Sequence, residues 1–507
     1  MATAVITTKA KERRSGLSYW MDRVLRETER VATQFDVDSV HDLRVALRRC
    51  RTMADALAEI DPDPFWRAPS WKAMKRAGRK LFRRLGDLRN VHVMVALVKG
   101  LAPEADPIRG RILETLADEE ERCRVTAASA LSGFDARKWK SWRGTLRQRA
   151  SLVRPDGLVA QALALERLID ARTLHDHARH HRSAAAFHEL RVGIKRFRYV
   201  VENFLPHRHE DWGQDLKRLQ DLLGDVHDLD ELWKYVMKLQ PPLSAEERSR
   251  WSQAIKTARS EKLDEYRMRI VEKNKNAPIS LWNVWARGLP QQARVQSAAL
   301  ARLRATARAL DPDFLESRRL GEFALELFDA LRSANISPVF NFPDSRRLFR
   351  AAATLRGVGK NMGPKANHKA ARKIIRKLVP PPGWTANEMT RLGAIVRYQR
   401  GAEPLETRGY FESIDPAERD QILWLAGTLR LALALGTGGP AEISVAGVEK
   451  TTETAAIVIR VRGYVESPKS AARLVARKHM LESMVRRPIL IEHDTLSGLR
   501  NGLTEQS

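Results

Sequence analysis

Residues 41–51 read HDLRVALRRCR, and residues 188–198 read HELRVGIKRFR. Both fit His-x-x-Arg-x-x-x-(Arg/Lys)-Arg-x-Arg. A second shared element follows each: Leu85-Gly86-Asp87-Leu88-Arg89 after the first, Leu223-Gly224-Asp225-Val226-His227 after the second. Two motifs recurring in one order at similar separation predict a duplicated unit of about four helices.

Placed on a helix, each basic motif separates into two stripes. Val40, Leu43, Leu47, Cys50, Ala54 and Leu57 recur at three and four and make an apolar seam; Phe187, Leu190, Ile194, Phe197, Val201 and Phe204 repeat it. One residue on, about 100° around the helix, lie His41, Arg44, Arg48 and Arg51, repeated as His188, Arg191, Lys195 and Arg198. The cations therefore border the core seam and do not occupy the opposite, fully solvated pole. Like charges at helical neighbours repel, and carboxylates are scarce nearby, so the stripe is read as awaiting an external anion. Any soluble helix has a charged face; duplication of the whole pattern, histidine included, argues for more than that. Arg49 and Arg196 complete the motif. Lys75, Arg79 and Arg83, with Lys72 before them, run at helical spacing ahead of Leu85-Gly86, and Lys217 with Arg218 hold the corresponding place before Leu223-Gly224. Arg89 and His227 close the two elements and join the expected site.

Composition agrees with an anionic partner. The chain has 507 residues, long enough for two or three domains, and with 43% hydrophobic residues it is able to bury cores. Against 62 Asp and Glu stand 89 Lys and Arg, a net charge of +27. Such an excess suits nucleic acid, a membrane surface or another polyanion, and does not choose among them. Two cysteines, Cys50 and Cys123, exclude a disulfide framework and suit a reducing compartment. No apolar run approaches the roughly 18–20 residues that cross a bilayer, and the first residues lack the apolar stretch of a secretory signal. A cytoplasmic protein with a short solvated tail over residues 1–15 is expected.

Along the chain, helical periodicity runs from about Leu17 to Lys275 and lapses around Asn274-Lys275-Asn276-Ala277-Pro278, which reads as a linker. Helices resume at Arg294 and continue, with a loop near Ser337–Asp344, to about Leu435. Gly436-Thr437-Gly438-Gly439-Pro440 then reads as a loop, Ala456–Arg462 alternates as a strand with Glu442–Val448 as its hairpin partner, and Lys469–Val485 is a last helix before the apolar run Pro488–Glu492. The expected fold is mainly α: two related helical bundles over 16–290, then a helical domain with a small β-hairpin over 291–500.

At these residues the first part resembles the CHAD domain, the conserved-histidine α-helical domain, over roughly residues 15–290. That resemblance implies two bundles about a pseudo-twofold axis, basic stripes meeting at a central channel, and binding of inorganic polyphosphate, with attachment to polyphosphate granules. On this sequence His41, Arg44, Arg48, Arg49, Arg51, His188, Arg191, Lys195, Arg196 and Arg198 would line the site. Arg89-Asn90 departs from the usual Arg-Asp pair of the second element. A polyphosphate chain has no bases to read, so a row of guanidinium forks without stacking platforms suits it.

Residues from about 294 resemble the C-terminal helical region of the exopolyphosphatase and guanosine-pentaphosphate phosphohydrolase family, of the HD-domain class. Leu325–Leu331, Phe349–Lys360, His368–Ala371 and Ile395–Arg400 carry that resemblance. The class binds metal through a histidine, a His-Asp pair and a later aspartate. Here Arg356-Gly357 stands in place of His-Asp, no histidine occurs between His227 and His368, and Tyr398-Gln399-Arg400 replaces Tyr-His-Arg. The expectation is a domain with no catalytic residues, no metal and no cofactor, in which Arg356, Lys360, Lys365, Lys369, Arg372 and Lys373 serve binding or docking. His175-Asp176-His177 with His180-His181 has metal-like spacing, but its place before the second motif assigns it to the anion site or the surface. No phosphate-binding Gly-x-x-x-x-Gly-Lys-Ser/Thr loop occurs. Two rivals stand beside the polyphosphate reading. One is a nucleic-acid binder, which the charge permits but no zinc, RNP or KH signature supports; nucleic acid should then compete weakly, as a generic polyanion. The other is a metal-dependent phosphohydrolase.

Overall fold

The computed structural model describes residues 16–63, 69–273, 278–291, 293–363, 367–404, 411–436, 443–451 and 455–494. The chain divides into two compact units, the first ending at Ala298 and the second running from Ala299. Among the described residues it is mainly α-helical. The expected tail over 1–15, Lys365 and residues 437–440 lie outside the described residues.

The first unit opens with α1 (Leu17–Thr33) and α2 (Val37–Ile60), which carries the first basic motif. α2 starts where it does because Asp36 accepts a hydrogen bond from the Ser39 amide at 2.7 Å and the Ser39 hydroxyl donates back into the same turn. α3 (Trp71–Ala77) and α4 (Arg79–Leu101) follow, broken apart at Gly78, where a side chain would press on Leu47 of α2. α5 (Pro107–Ser132) returns along α4, and α6 (Ala136–Ala150) closes the first half by laying buried Trp139 on α1, its Nε1 donating to the Met21 carbonyl at 3.1 Å.

The second half repeats the plan. α7 (Leu158–His181) pairs with α8 (Ala184–Phe204) as α1 pairs with α2, and α9 (Pro206–Val236) with α10 (Ala245–Ile270) as α4 with α5. Ser183 caps α8 through the Ala186 amide. α11 (Leu281–Arg287) brings Trp282 and Trp285 where α6 brought Trp139. Every residue of both predicted apolar seams is buried, and one continuous core runs from Leu17 to Leu289. Each such side chain contributes about 1.5–3 kcal/mol when fully buried. Like-charge repulsion along a helix costs about 0.2–0.5 kcal/mol per pair, so burial wins and the cationic helices hold.

The linker expected around residues 274–278 is corrected in part. Val271–Lys273 (β1) and Pro278–Ser280 (β2) pair antiparallel on either side of it; residues 274–277 are not described. Three residues per strand are too few to show a period, which is why the sequence read only as a lapse.

The boundary between the units falls within α12 (Ala293–Leu310). The second unit contains α13 (Phe314–Ser333), α14 (Ser345–Leu355), α15 (Asn367–Ile375), α16 (Ala386–Tyr398), α17 (Pro416–Gly436) and α18 (Pro468–Val485). α17 is buried nearly all round and takes α13, α14, α16 and α18 against it, while α15 packs on α16. The expected hairpin is present as β3 (Ser444–Lys450) antiparallel to β4 (Ile457–Arg462). The terminal apolar run adds β5 (Ile489–His493) parallel to β4, so the sheet has three strands in the order β3-β4-β5.

Candidate anion-binding cleft

α2 meets α8, and α4 meets α9, so the basic faces of the two halves confront each other. Between them lies a cleft of ≈ 580 Å³ whose walls include Arg44, Asn90, Arg191, Lys195, His227 and Asp228. Arg44 enters it from the first half. Its guanidinium donates to the Phe82 carbonyl at 3.1 Å, lies 4.7 Å from the centre of the Phe82 ring, and passes over Gly86 so closely that a side chain there would collide with Nη1. The glycine of the Leu-Gly-Asp element thus makes room for the arginine of the basic motif. In the second half Gly224 stands beside Arg191 in the same way but more loosely, its Cβ position 3.9 Å from Nε.

The electrostatics are those of buried cations acting on one another, with Asp87, Glu119, Asp228 and Glu231 also in the wall. Burial, then the adjacent Arg48, draws Arg44 down to about 10. Burial, then Arg48, Arg191 and Arg44, draws Lys195 down to about 8. His227 falls to about 4 through burial, Arg191 and His188; the two imidazoles face each other, Nδ1 to Nδ1 3.3 Å. His41 is lowered by burial, then by Arg89 and Arg48. The exception is Asp228: burial raises its carboxyl to about 6, against the pull of Arg191 and Arg89. Arg48 reaches across to the second half, 5.8 Å from the Tyr199 ring centre, and its Nε is buried with no hydrogen-bond partner.

Of the residues expected at the site, His41, Arg44, Arg48, Arg89, His188, Arg191, Lys195 and His227 are brought together here, in the cleft wall or within the field of those that form it. Others are engaged elsewhere. Arg49 forms an ion pair with Glu202 of α8, with the two side chains 11% and 13% exposed, and so bridges the halves. Arg51 donates to the Lys75 carbonyl at 2.8 Å and covers Phe82 at 5.0 Å, while Lys75 itself pairs with Asp55. Arg198 sits 3.9 Å from the Glu202 carboxylate, and Arg218 forks onto Glu265. Arg196 is exposed on a groove it shares with Glu59 and Lys195, and Arg79, Arg83 and Lys217 are exposed on the surface. The histidine run divides too: His175 is half-buried at the edge of the core, its Nδ1 3.0 Å from the Tyr266 hydroxyl and its ring against Trp282, while His177 faces His181 outside. His175 follows the apolar period of α7, a signal its metal-like spacing hid.

Sequence reasoning named Asn90 only as a departure in the second element and did not place Glu119, Asp228, Glu231, Lys234 and Lys238 in the cleft. Asp228 directly follows the second copy of the element, as Asn90 follows the first.

In the second unit, Arg356-Gly357 stand beside a buried acid. Asp311 lies so close to Gly357 that any side chain there would collide with its carboxylate. Lys360 Nζ sits 3.3 Å from Asp311 Oδ1 and 3.0 Å from Asp313 Oδ2, and also donates to the Ser317 hydroxyl at 3.1 Å. The Arg356 guanidinium is held below its ordinary pKa by burial, with Asp311 pulling the other way. A divalent metal needs converging carboxylates and imidazoles. Here the carboxylates already face an ammonium and a guanidinium, so these residues do not fit a metal. Among the described residues no three His, Cys, Asp or Glu side chains gather to hold one, and no helix is long and apolar enough to cross a membrane.

Two known families match parts of the chain. Residues 17–237 match the CHAD domain, and residues 301–468 match Ppx/GppA phosphatase, domain III. No curated protein matches the chain.

Proposed function

We propose, from a chain that carries a CHAD domain followed by a Ppx/GppA domain III, that the first unit binds inorganic polyphosphate in the cleft between its halves and that neither unit hydrolyses it. The observation that carries the reading is the convergence of Arg44, Arg48, Arg191 and Lys195 from two helices on one cleft, where Arg48, Arg191 and Arg44 all act on Lys195 and Arg48 acts on Arg44. The carboxylates of the wall, Asp87, Glu119, Asp228 and Glu231, offset part of that repulsion, and an external anion would offset more. A flexible chain with about one charge per phosphate can thread between the halves, and its binding should follow the salt dependence of counterion release. The walls offer Arg and Lys donors and little exposed aromatic surface for bases, which favours polyphosphate over nucleic acid. Attachment to polyphosphate granules follows from the same reading. In the second unit, occupation of Asp311 and Asp313 by Lys360 supports a role without metal-dependent hydrolysis.

The test is a titration with long-chain polyphosphate and with duplex DNA of equal charge, at about 150 mM salt where surface attraction is largely screened. Polyphosphate should bind far more tightly. The variant with Arg44, Arg48, Arg191 and Lys195 all replaced by Ala should lose about 10³-fold or more in affinity, with helical content unchanged. Equal affinity for DNA would shift the reading to a general polyanion binder; phosphate release that depends on added Mg²⁺ or Mn²⁺ would make the protein an enzyme.

A further inference from the structure

α13 and α14 pass close at Gly321, whose Cβ position lies 3.4 Å from the Ala353 carbonyl oxygen. Both residues also line a cavity of ≈ 70 Å³ in the second unit. A water needs about 10–15 Å³ of such space, so the cavity has room for about five or six atoms of that size, too few for a phosphate chain or a nucleotide. Its wall is of two kinds. Phe314 and Leu325, half-buried, and Ala353, buried, supply the apolar part. Arg304 from α12, Arg318 from α13 and Arg350 from α14 supply the charged part, with Glu322 as the carboxylate beside them.

The arginines differ in how they are answered. Glu322 pairs with Arg318 at 3.4 Å, one turn along α13, and both side chains are exposed. On α14, Asp329 takes Arg346 at 2.7 Å and Glu388 takes Arg347. Arg350 follows one turn later, half-buried, and Arg304 is exposed; among the described residues neither guanidinium has a carboxylate or carbonyl partner. A lone arginine in water needs no partner. Two unanswered guanidiniums, brought from separate helices to one small cavity with an apolar wall, make a site that an oxyanion completes. Ser317 in the same wall accepts from Lys360 at 3.1 Å and keeps its own proton to donate.

We propose that this cavity takes a carboxylate on a short aliphatic stem, with the stem against Phe314, Leu325 and Ala353 and the oxygens on Arg304 and Arg350. A guanidinium fork matches the two oxygens of a carboxylate. An apolar wall suits the carbon stem, whereas inorganic phosphate, polar on every side, would lose water there without gaining a partner. Such a group comes from a free short-chain acid or from the C-terminal residue of an apolar peptide. Leu315, 75% exposed and one turn before Arg318 on the same face of α13, offers a longer ligand apolar surface to cover. The site is separate from the cleft of the first unit and does not rest on that reading. Asp311 and Asp313, held by Lys360, take no part in it.

The test titrates the full chain, methyl-labelled at leucine and alanine, with sodium butyrate while NMR follows the Leu325 and Ala353 methyl signals. Both residues line the cavity, so anions bound elsewhere do not interfere. The two signals should shift and saturate in the millimolar range, as suits a ligand of so few atoms. Arg350→Gln should weaken binding about tenfold. Arg304→Gln, at an exposed position that the fold does not need, should weaken it about threefold and decides the matter if the Arg350 variant fails to fold. N-acetyl-alanyl-valine with a free C-terminus serves as the second arm: tighter binding than butyrate supports a peptide ligand, and equal or weaker binding supports a free acid. Methyl signals that butyrate leaves in place overturn the proposal. So do an affinity unchanged by both substitutions and inorganic phosphate bound more tightly than butyrate.

Discussion

Arg49 on α2 and Arg196 on α8 hold the same place in the repeated motif, yet Arg49 is locked to Glu202 between the halves while Arg196 stands exposed. The same divergence recurs around the cleft. Asn90 occupies the first half where Asp228 occupies the second, Arg89 stands opposite His41 where His227 faces His188, and Gly86 is crowded by Arg44 where Gly224 leaves Arg191 space. Duplication kept the cations and let their surroundings drift. The first half holds arginines, with His41 lowered and no acid at the Asn90 position; the second carries a lysine, an aspartate and a histidine all drawn far from their ordinary values. What the motif conserves is charge placement, and what differs is how far each charge is answered from within the chain.

The largest effect should separate the two arginines at the ninth motif position, Arg49 and Arg196. Glu202→Gln leaves Arg49 half-enclosed and unpaired and should cost about 3 kcal/mol, whereas Arg196→Met should change stability by less than about 0.5 kcal/mol. Chemical denaturation of both variants measures this, and equal losses would erase the distinction. Next come the reciprocal exchanges at the cleft. Asp228→Asn should tighten polyphosphate binding about tenfold at neutral pH, because a desolvated charge is removed beside the ligand, and Asn90→Asp, at an exposed position, should weaken it about threefold. Unchanged affinities would mean that the ligand does not pass this position.

The pH profile should divide by half as well. A bound polyanion raises the pKa of Lys195, of Asp228 and of His227, so binding takes up protons and affinity climbs as pH falls. The free values, about 8, about 6 and about 4, put the lysine's contribution above pH 8, the aspartate's above pH 6 and the histidine's above pH 4. Each contributes at most about tenfold per pH unit. Asp228→Asn should flatten the profile just above pH 6, and Lys195→Arg should flatten it above pH 8; a profile unaltered by both would remove these groups from the site. The smallest effect should come from the glycines. Gly86→Ala displaces Arg44 and should weaken binding about threefold while gaining up to about 1 kcal/mol of helix stability. Gly224→Ala should leave affinity unaltered, and equal losses from both would make the halves equivalent.

Much of this was legible in the sequence because helices advertise their buried faces. The seams of α2 and α8 were named residue by residue; of the stripes one step around, Arg51 and Arg198 turned to partners within the chain. Legibility failed where a side chain's fate depends on a partner far along the chain. Nothing local distinguishes Arg49 from Arg48, since only the crossing of α2 over α8 gives one of them Glu202. Arg51 was read as facing the ligand but satisfies the carbonyl of Lys75, at the end of α3. Asp228 and Lys234 lie on a 31-residue helix whose second motif occupies a few positions, so the rest of its cleft wall went unread. The cavity of the second unit is lined from three helices, and only their packing shows which of its arginines go unanswered. β5 escaped because a parallel partner leaves no turn signal beside it.

The seam between α2 and α8 also has a mechanical reading. Empty, it is compressed: facing cations push the halves apart, and the Arg49–Glu202 bridge acts as a tie against them. A polyanion in the cleft turns that load into tension, each guanidinium pulling inward on a shared thread. Stretched from its ends, the loaded domain should yield at higher force than the empty one and let both halves go together, with the thread as the last element to part.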